Sequence, residues 1–244
     1  MADLADVYAV TRKDLAGFVS SLSEQEVERP VPATPGWSIR DVVAHMAGVL
    51  DCIARGDFPA EFFVDVGSKQ GVAVLNEWTD RQVGGRADRP IQELLDEWEN
   101  GAVAVMPMLR GDVAWPDGVV PFAGYVLITD LAVHQQDVYG ALRIVKGRDT
   151  TPVGIGFATY VGGADLKLKG SGGPSLRVVT ERKEVVAGDG EPAATVRGSR
   201  FELFRGLSGR RSPDQLRAYE WAGDPEPFLE LFYPYGVRAE ALVE

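Results

Sequence analysis

The feature that most constrains this chain is a change of grammar near Gly147. Before it, apolar residues recur at helical spacing over long segments; after it, short apolar runs are separated by glycine-rich turns. From Asp3 to about Ser20, residues Leu4, Val7, Tyr8, Leu15, Phe18 and Val19 mark a helix, and Ser23 with Glu26 makes a capping box that Pro30 and Pro32 cut short. Thr34 to Trp37 is a turn. Ser38 and Asp41 then have capping-box spacing ahead of Ile39, Val42, Val43, Met46, Val49, Leu50 and Ile53, which predicts a second helix ending near Gly56. Further helices are expected over 68–82, from Pro90 as first residue until Pro107 disturbs the end, and over 122–142 after a loop at 111–118. Beyond Gly147, residues 176–179 and 184–186 read as strands between turns at 170–174 and 188–192, with helices opening at Ser199/Glu202 and around 225–232. This is α+β grammar, with a boundary inside 146–152 that divides the chain into 1–147 and 148–244.

Composition narrows the function classes. With 36 acidic against 25 basic residues the net charge is −11, a surface that repels nucleic acid and anionic lipid. The lone Cys52 cannot form an internal disulfide or a Cys-Cys zinc knuckle. No apolar run approaches the roughly 18 residues of a spanning helix, and Met1-Ala2-Asp3-Leu4-Ala5-Asp6 has neither a basic segment nor an apolar signal core. A cytoplasmic protein without nucleic-acid or membrane partners, monomer or homodimer, is expected.

Only two histidines exist, His45 and His134. Asp130 and His134 are four apart on one predicted helix, so their side chains stack on one face and both can reach one cation. A solvated pair or a helical hydrogen bond is the commoner reading of the same spacing. His45 lies mid-helix, where it is either a satisfied buried histidine or a third group at the same depth. Two imidazoles and one carboxylate leave coordination positions open for water or substrate, which means catalysis rather than scaffolding.

The run Val31-Pro32-Ala33-Thr34-Pro35-Gly36-Trp37-Ser38-Ile39-Arg40-Asp41-Val42-Val43-Ala44-His45-Met46-Ala47-Gly48 resembles the N-terminal signature of the mycothiol-dependent maleylpyruvate isomerase-like family, a branch of the DinB-like four-helix metalloproteins. Asp130-Leu131-Ala132-Val133-His134-Gln135-Gln136-Asp137 is similar to that family's Glu-x-x-x-His-x-x-Asp, with aspartate in place of the usual glutamate. Segments 194–199 and 207–211 look like the sterol-carrier-like second domain common there. The resemblance implies an antiparallel four-helix bundle of DinB type over 1–147, a smaller α+β domain over 148–244, and His45, Asp130 and His134 as ligands of a divalent metal, zinc first. The shorter Asp130 is expected to coordinate less directly, or through water. Function by resemblance is S-transfer or cis–trans isomerisation of a small electrophile with a low-molecular-weight thiol, mycothiol, as cosubstrate. A metal-dependent hydrolase and a non-catalytic small-molecule or lipid carrier are the alternatives.

Around that set, Asp137 lies three residues after His134 and is either an orienting carboxylate or an exposed aspartate. Cys52, seven after His45, lines the cleft or fills core. Arg40, Asp41 and Trp37 are expected to have local roles in an ion pair, a helix start and a packed turn. Gly170–Gly173 lacks the Lys-Ser/Thr of a phosphate loop. Arg210, with Arg211, is a candidate to grip a substrate carboxylate if the second domain covers the bundle mouth, against the commoner reading of both as solvated arginines.

Overall fold

The computed structural model describes residues 3–244, so the first two residues of the N-terminal hexapeptide lie outside it. Helices α1 (Leu4–Ser20), α3 (Ile39–Ala54), α6 (Ile91–Arg110) and α7 (Ala123–Ala141) pack against one another as a four-helix bundle, and α5 (Lys69–Gly84) lies across α3. Short α2 (Glu24–Val27) and α4 (Ala60–Val64) bridge them. Local chemistry sets the starts. Ser38 and Asp41 form the expected reciprocal capping box of α3, and Ser23 with Glu26 does the same for α2. Pro90 stands one position outside α6, and Pro107 does not end that helix; it continues to Arg110 and stops where Gly111 turns left-handed at φ 80°.

The bundle core gathers Tyr8, Leu15, Met46, Leu50, Leu94 and Trp98, whose indole donates to the Tyr8 hydroxyl at 3.1 Å. Burying each such side chain is worth about 1.5–3 kcal/mol. Glycine matters at one crossing here: a Cβ on Gly48 would lie 2.7 Å from Gln82 Cβ, so only glycine lets α3 and α5 approach this closely.

The second half opens with a helix that the sequence does not announce, α8 (Thr151–Ser171). It packs on α7, and α9 (Arg200–Leu207) packs on it in turn. Strands β1 (Ser175–Val179), β2 (Glu184–Ala187), β3 (Pro192–Arg197) and β4 (Glu220–Ala222) form one mixed sheet in the order β2-β1-β3-β4, with β1 and β3 parallel and the outer pairs antiparallel. A short α10 (Pro213–Arg217) precedes β4, and the expected helix near 225–232 is a 3-10 turn over Glu226–Phe232. A second core of Phe157, Val161, Leu176, Val196, Phe204 and Phe228 also takes in Ala132 and Val133 of α7. That helix therefore faces hydrophobic packing on both sides, which is why residues 127–139 are almost continuously buried. No helix among the described residues is long and apolar enough to cross a membrane.

The α8–α9 contact supplies a stability test. A Cβ on Gly156 would meet Phe204 Cε2 at 2.6 Å and Cζ at 3.2 Å, atoms of a rigid buried ring. Gly156→Ala gains about 1 kcal/mol of helix propensity, yet overpacking costs about 1–3 kcal/mol. The melting temperature is expected to fall; an unchanged or higher value would mean that Phe204 yields.

Candidate metal centre

Helix α3 presents His45 from its middle, and the neighbouring α7 presents Asp130 and His134 one turn apart on one face. The three offer ligand atoms that all lie within 4.8 Å of one another. His45 Nε2 is 3.5 Å from Asp130 Oδ2, and His134 Nε2 is 3.4 Å from Asp130 Oδ1. Ligands about 2.0–2.1 Å from a tetrahedral zinc are separated by about 3.3–3.4 Å, so the spacing suits a small divalent cation. The side chain of Asp130 thus spans both imidazoles despite lacking the extra methylene. Its Oδ2, fully buried, has no hydrogen-bond partner among the described residues, which leaves it free to accept a further group. The histidine side chains are buried, whereas Asp130 is 26 % exposed, leaving one open side.

Each imidazole is oriented from behind. His45 Nδ1 lies 2.8 Å from Gln82 Oε1, an acceptor that selects the Nδ1–H tautomer and leaves the Nε2 lone pair facing Asp130. His134 Nδ1 lies 3.0 Å from Asp137 Oδ2, an ion-pair approach that is off the hydrogen-bond axis. Trp37 does more than pack its turn: its ring centroid is 5.1 Å from that of His45 and stacks at 6.0 Å on His134.

Electrostatics hold Asp130 and His134 charged. Burial pushes the Asp130 carboxyl up, but the two histidines outweigh it and keep it well below the usual carboxylate range. Burial lowers His134, but Asp130 first and Asp137 second overcome this and push it up to about 9. A cation taken up near pH 7 must therefore displace a proton. Asp137, wholly buried, is held far below its ordinary value against burial by Arg210 and Arg205.

The other candidates fall outside this cluster. Arg210 directs Nη2 and Nε at Asp137, at 2.8 and 3.4 Å, and Nη1 at the Ser208 carbonyl at 2.7 Å, so its guanidinium is engaged with protein groups beside the site. Arg211 pairs with Glu202 and Glu244. Cys52 sits in the bundle core with its thiol pushed up by burial. Arg40 pairs with Glu28 and donates to the Arg89 carbonyl, and Asp41 caps α3. Gly172 ends α8 in the left-handed region. Sequence reasoning missed Gln82, for a glutamine on another helix carries no spacing signal toward His45. If the cluster takes up zinc, Gln82→Leu is expected to weaken that binding by about 10–100-fold, read by chelator competition, since it unlocks the His45 ring; unchanged affinity would sink the role given to Gln82.

Residues 9–139 match the family model described as mycothiol maleylpyruvate isomerase N-terminal domain. The fold is similar to a solved mycothiol-dependent maleylpyruvate isomerase at TM-score 0.58 and 13% identity, covering 85% of this chain and 88% of that one. A histidine-to-alanine mutant of such an isomerase gives TM-score 0.57 at 13% identity, over 84% and 88%. Comparison with curated proteins gave no match.

Proposed function

The chain belongs to the mycothiol maleylpyruvate isomerase N-terminal domain family, and on that premise we propose that it is a metal-dependent enzyme that uses a low-molecular-weight thiol, mycothiol, on a small electrophile. The observation that carries this reading is the convergence of His45, Asp130 and His134 around an unpartnered buried carboxylate oxygen with one side open. In that reading Asp130 ligates directly, because its oxygens already lie at ligand–ligand spacing from both Nε2 atoms.

A free thiol titrates near about 8.5 and is mostly protonated at neutral pH. A bound divalent cation, zinc first, supplies the charge that favours thiolate. The chain's own groups prepare the place. Gln82 and Asp137 keep each Nε2 turned inward, Trp37 covers the imidazole faces, and burial of both histidines confines water to the one open side. The thiolate then adds to an activated double bond, the new single bond rotates, and elimination returns the thiol with the trans isomer. With a leaving group on the electrophile, the same attack forms a thioether and expels that group.

We also propose residues 1–147 as the metal-binding bundle and 148–244 as a sterol-carrier-like domain completing it. Arg205 and Arg210 support this by reaching Asp137 from the second part. Arg210 enters as a positioning residue through Asp137. The test is metal analysis of the purified protein, followed by incubation with mycothiol and a panel of electrophiles and cis-unsaturated diacids. Stoichiometric zinc and a rate that needs both metal and thiol are expected. A metal-loaded protein with no thiol-dependent rate would favour hydrolysis. A protein without metal that carries an extracted lipid would make it a carrier.

A further inference from the structure

Behind Asp137 the ion pairs do not stop; they run to segment 242–244. Leu242 is buried in the bundle core, and Gln215 holds its backbone at both ends, Oε1 accepting from Leu242 N at 3.0 Å and Nε2 donating to Leu242 O at 2.8 Å. Arg148 donates to the Glu244 carbonyl at 2.9 Å. The Glu244 carboxylate, 4 % exposed, accepts from Arg205 Nε and Nη2, both at 2.7 Å, and from Arg211 Nη1 at 2.8 Å. Arg205, fully buried, gives the same Nη2 to Asp137 Oδ1 at 2.7 Å and Nη1 to the Val133 carbonyl at 3.3 Å. Backbone makes room for this: a Cβ on Gly140 of α7 would meet Glu244 Oε2 at 2.9 Å and Glu244 Cβ at 3.1 Å.

We propose that Glu244 and Arg205 are positioning residues of the metal centre, so that docking of segment 242–244 sets how tightly the His45–Asp130–His134 cluster holds its cation. This rests on the reading above that the cluster binds one. Two physical effects carry it. A fork-to-carboxylate contact fixes the plane of the Arg205 guanidinium, and that plane decides where Nη2 holds Asp137 against His134. Charge is the second. With both histidines neutral, as ligation requires, Glu244→Gln takes one negative charge out of the buried network that Asp137, Arg205 and Arg210 form behind the cluster, and a dication is held less well.

The experiment titrates cobalt and zinc into the full chain against a chelator and records the cobalt visible spectrum. Glu244→Gln is expected to weaken affinity about 10-fold, in the range of outer-shell substitutions, and to change the spectrum. Gly140→Ala should act in the same direction although it alters no charge and favours the helix, which keeps the test open if Glu244→Gln folds poorly. In an Asp137→Asn background the Glu244→Gln effect should shrink to its charge part, because the orienting path runs through Asp137. Affinity within twofold of the parent for both Glu244→Gln and Gly140→Ala overturns the proposal while leaving the metal site standing, as does a Glu244→Gln loss of equal size with Asp137→Asn. A parent protein that binds no cobalt would instead bring down the metal reading itself.

Discussion

Replacing His134 or His45 with alanine is expected to abolish metal binding and bring thiol-dependent turnover down to the metal-free background. Outer-shell substitutions at such sites cost about 10–100-fold in metal affinity, and removal of a ligand itself exceeds that. Two ligands in place of three also lose the geometry that leaves an open position on an otherwise closed cation. The two variants should not be equal in stability. His45 has one hydrogen-bonded partner, Gln82, whose Oε1 would lose its donor. His134 lies between Asp130 and Asp137, so His134→Ala removes the positive group between two carboxylates. In the cation-free protein the folded pKa of His134 is above its unfolded value of about 6.5. Its stabilisation is therefore full below that unfolded value and lost as pH rises through about 9. Cation-free His134→Ala should lack this alkaline decline, as read by urea denaturation across pH. Turnover retained in either histidine variant, with metal still bound, would remove these residues from the site.

Asp137→Ala should be the most destabilising single change near the site. It leaves Arg205 and Arg210 buried without the carboxylate both grip, and breaking a buried pair by deleting one partner costs about 3–5 kcal/mol. Asp137→Asn keeps the shape and two polar atoms, so it should lose less and still lower metal affinity. The pH behaviour separates charge from shape. The folded Asp137 carboxyl lies below its unfolded value, so the unfolded chain binds more protons in acid. The stabilisation is present above about pH 4 and fades as pH falls below it. Asp137→Asn should flatten that acid limb in part, the remainder belonging to Asp130 and the other paired carboxylates, Glu244 and Glu97 among them. A loss under about 1 kcal/mol in Asp137→Ala would mean that the two arginines find other partners.

The legible parts of this protein are those set within a turn or two of chain. Asp130 and His134 share a face because roughly 3.6 residues make a turn, and Ser38 with Asp41 starts α3 through bonds that span three residues. Strands β1 and β2 also show in sequence, since glycine turns and short apolar runs are local signals. Helix α8 did not show. Gly154, Gly156, Gly162 and Gly163 dilute its periodicity, and it is held by packing between α7 and α9 rather than by propensity.

What only the tertiary structure decided is which groups stand behind the His45–Asp130–His134 cluster. Gln82 meets His45 because Gly48 lets α5 close on α3, and Asp137 meets Arg205, Arg210 and, through Arg205, Glu244 because α9 and segment 242–244 fold back on α7. Arg210 was legible as a residue of the site's neighbourhood, yet its partner is a buried aspartate. Local spacing determines which side chains share a face of one helix. The identity of the facing partner depends on how distant elements pack and on the need of every buried charge for a counter-charge, and neither is written in any one window of sequence.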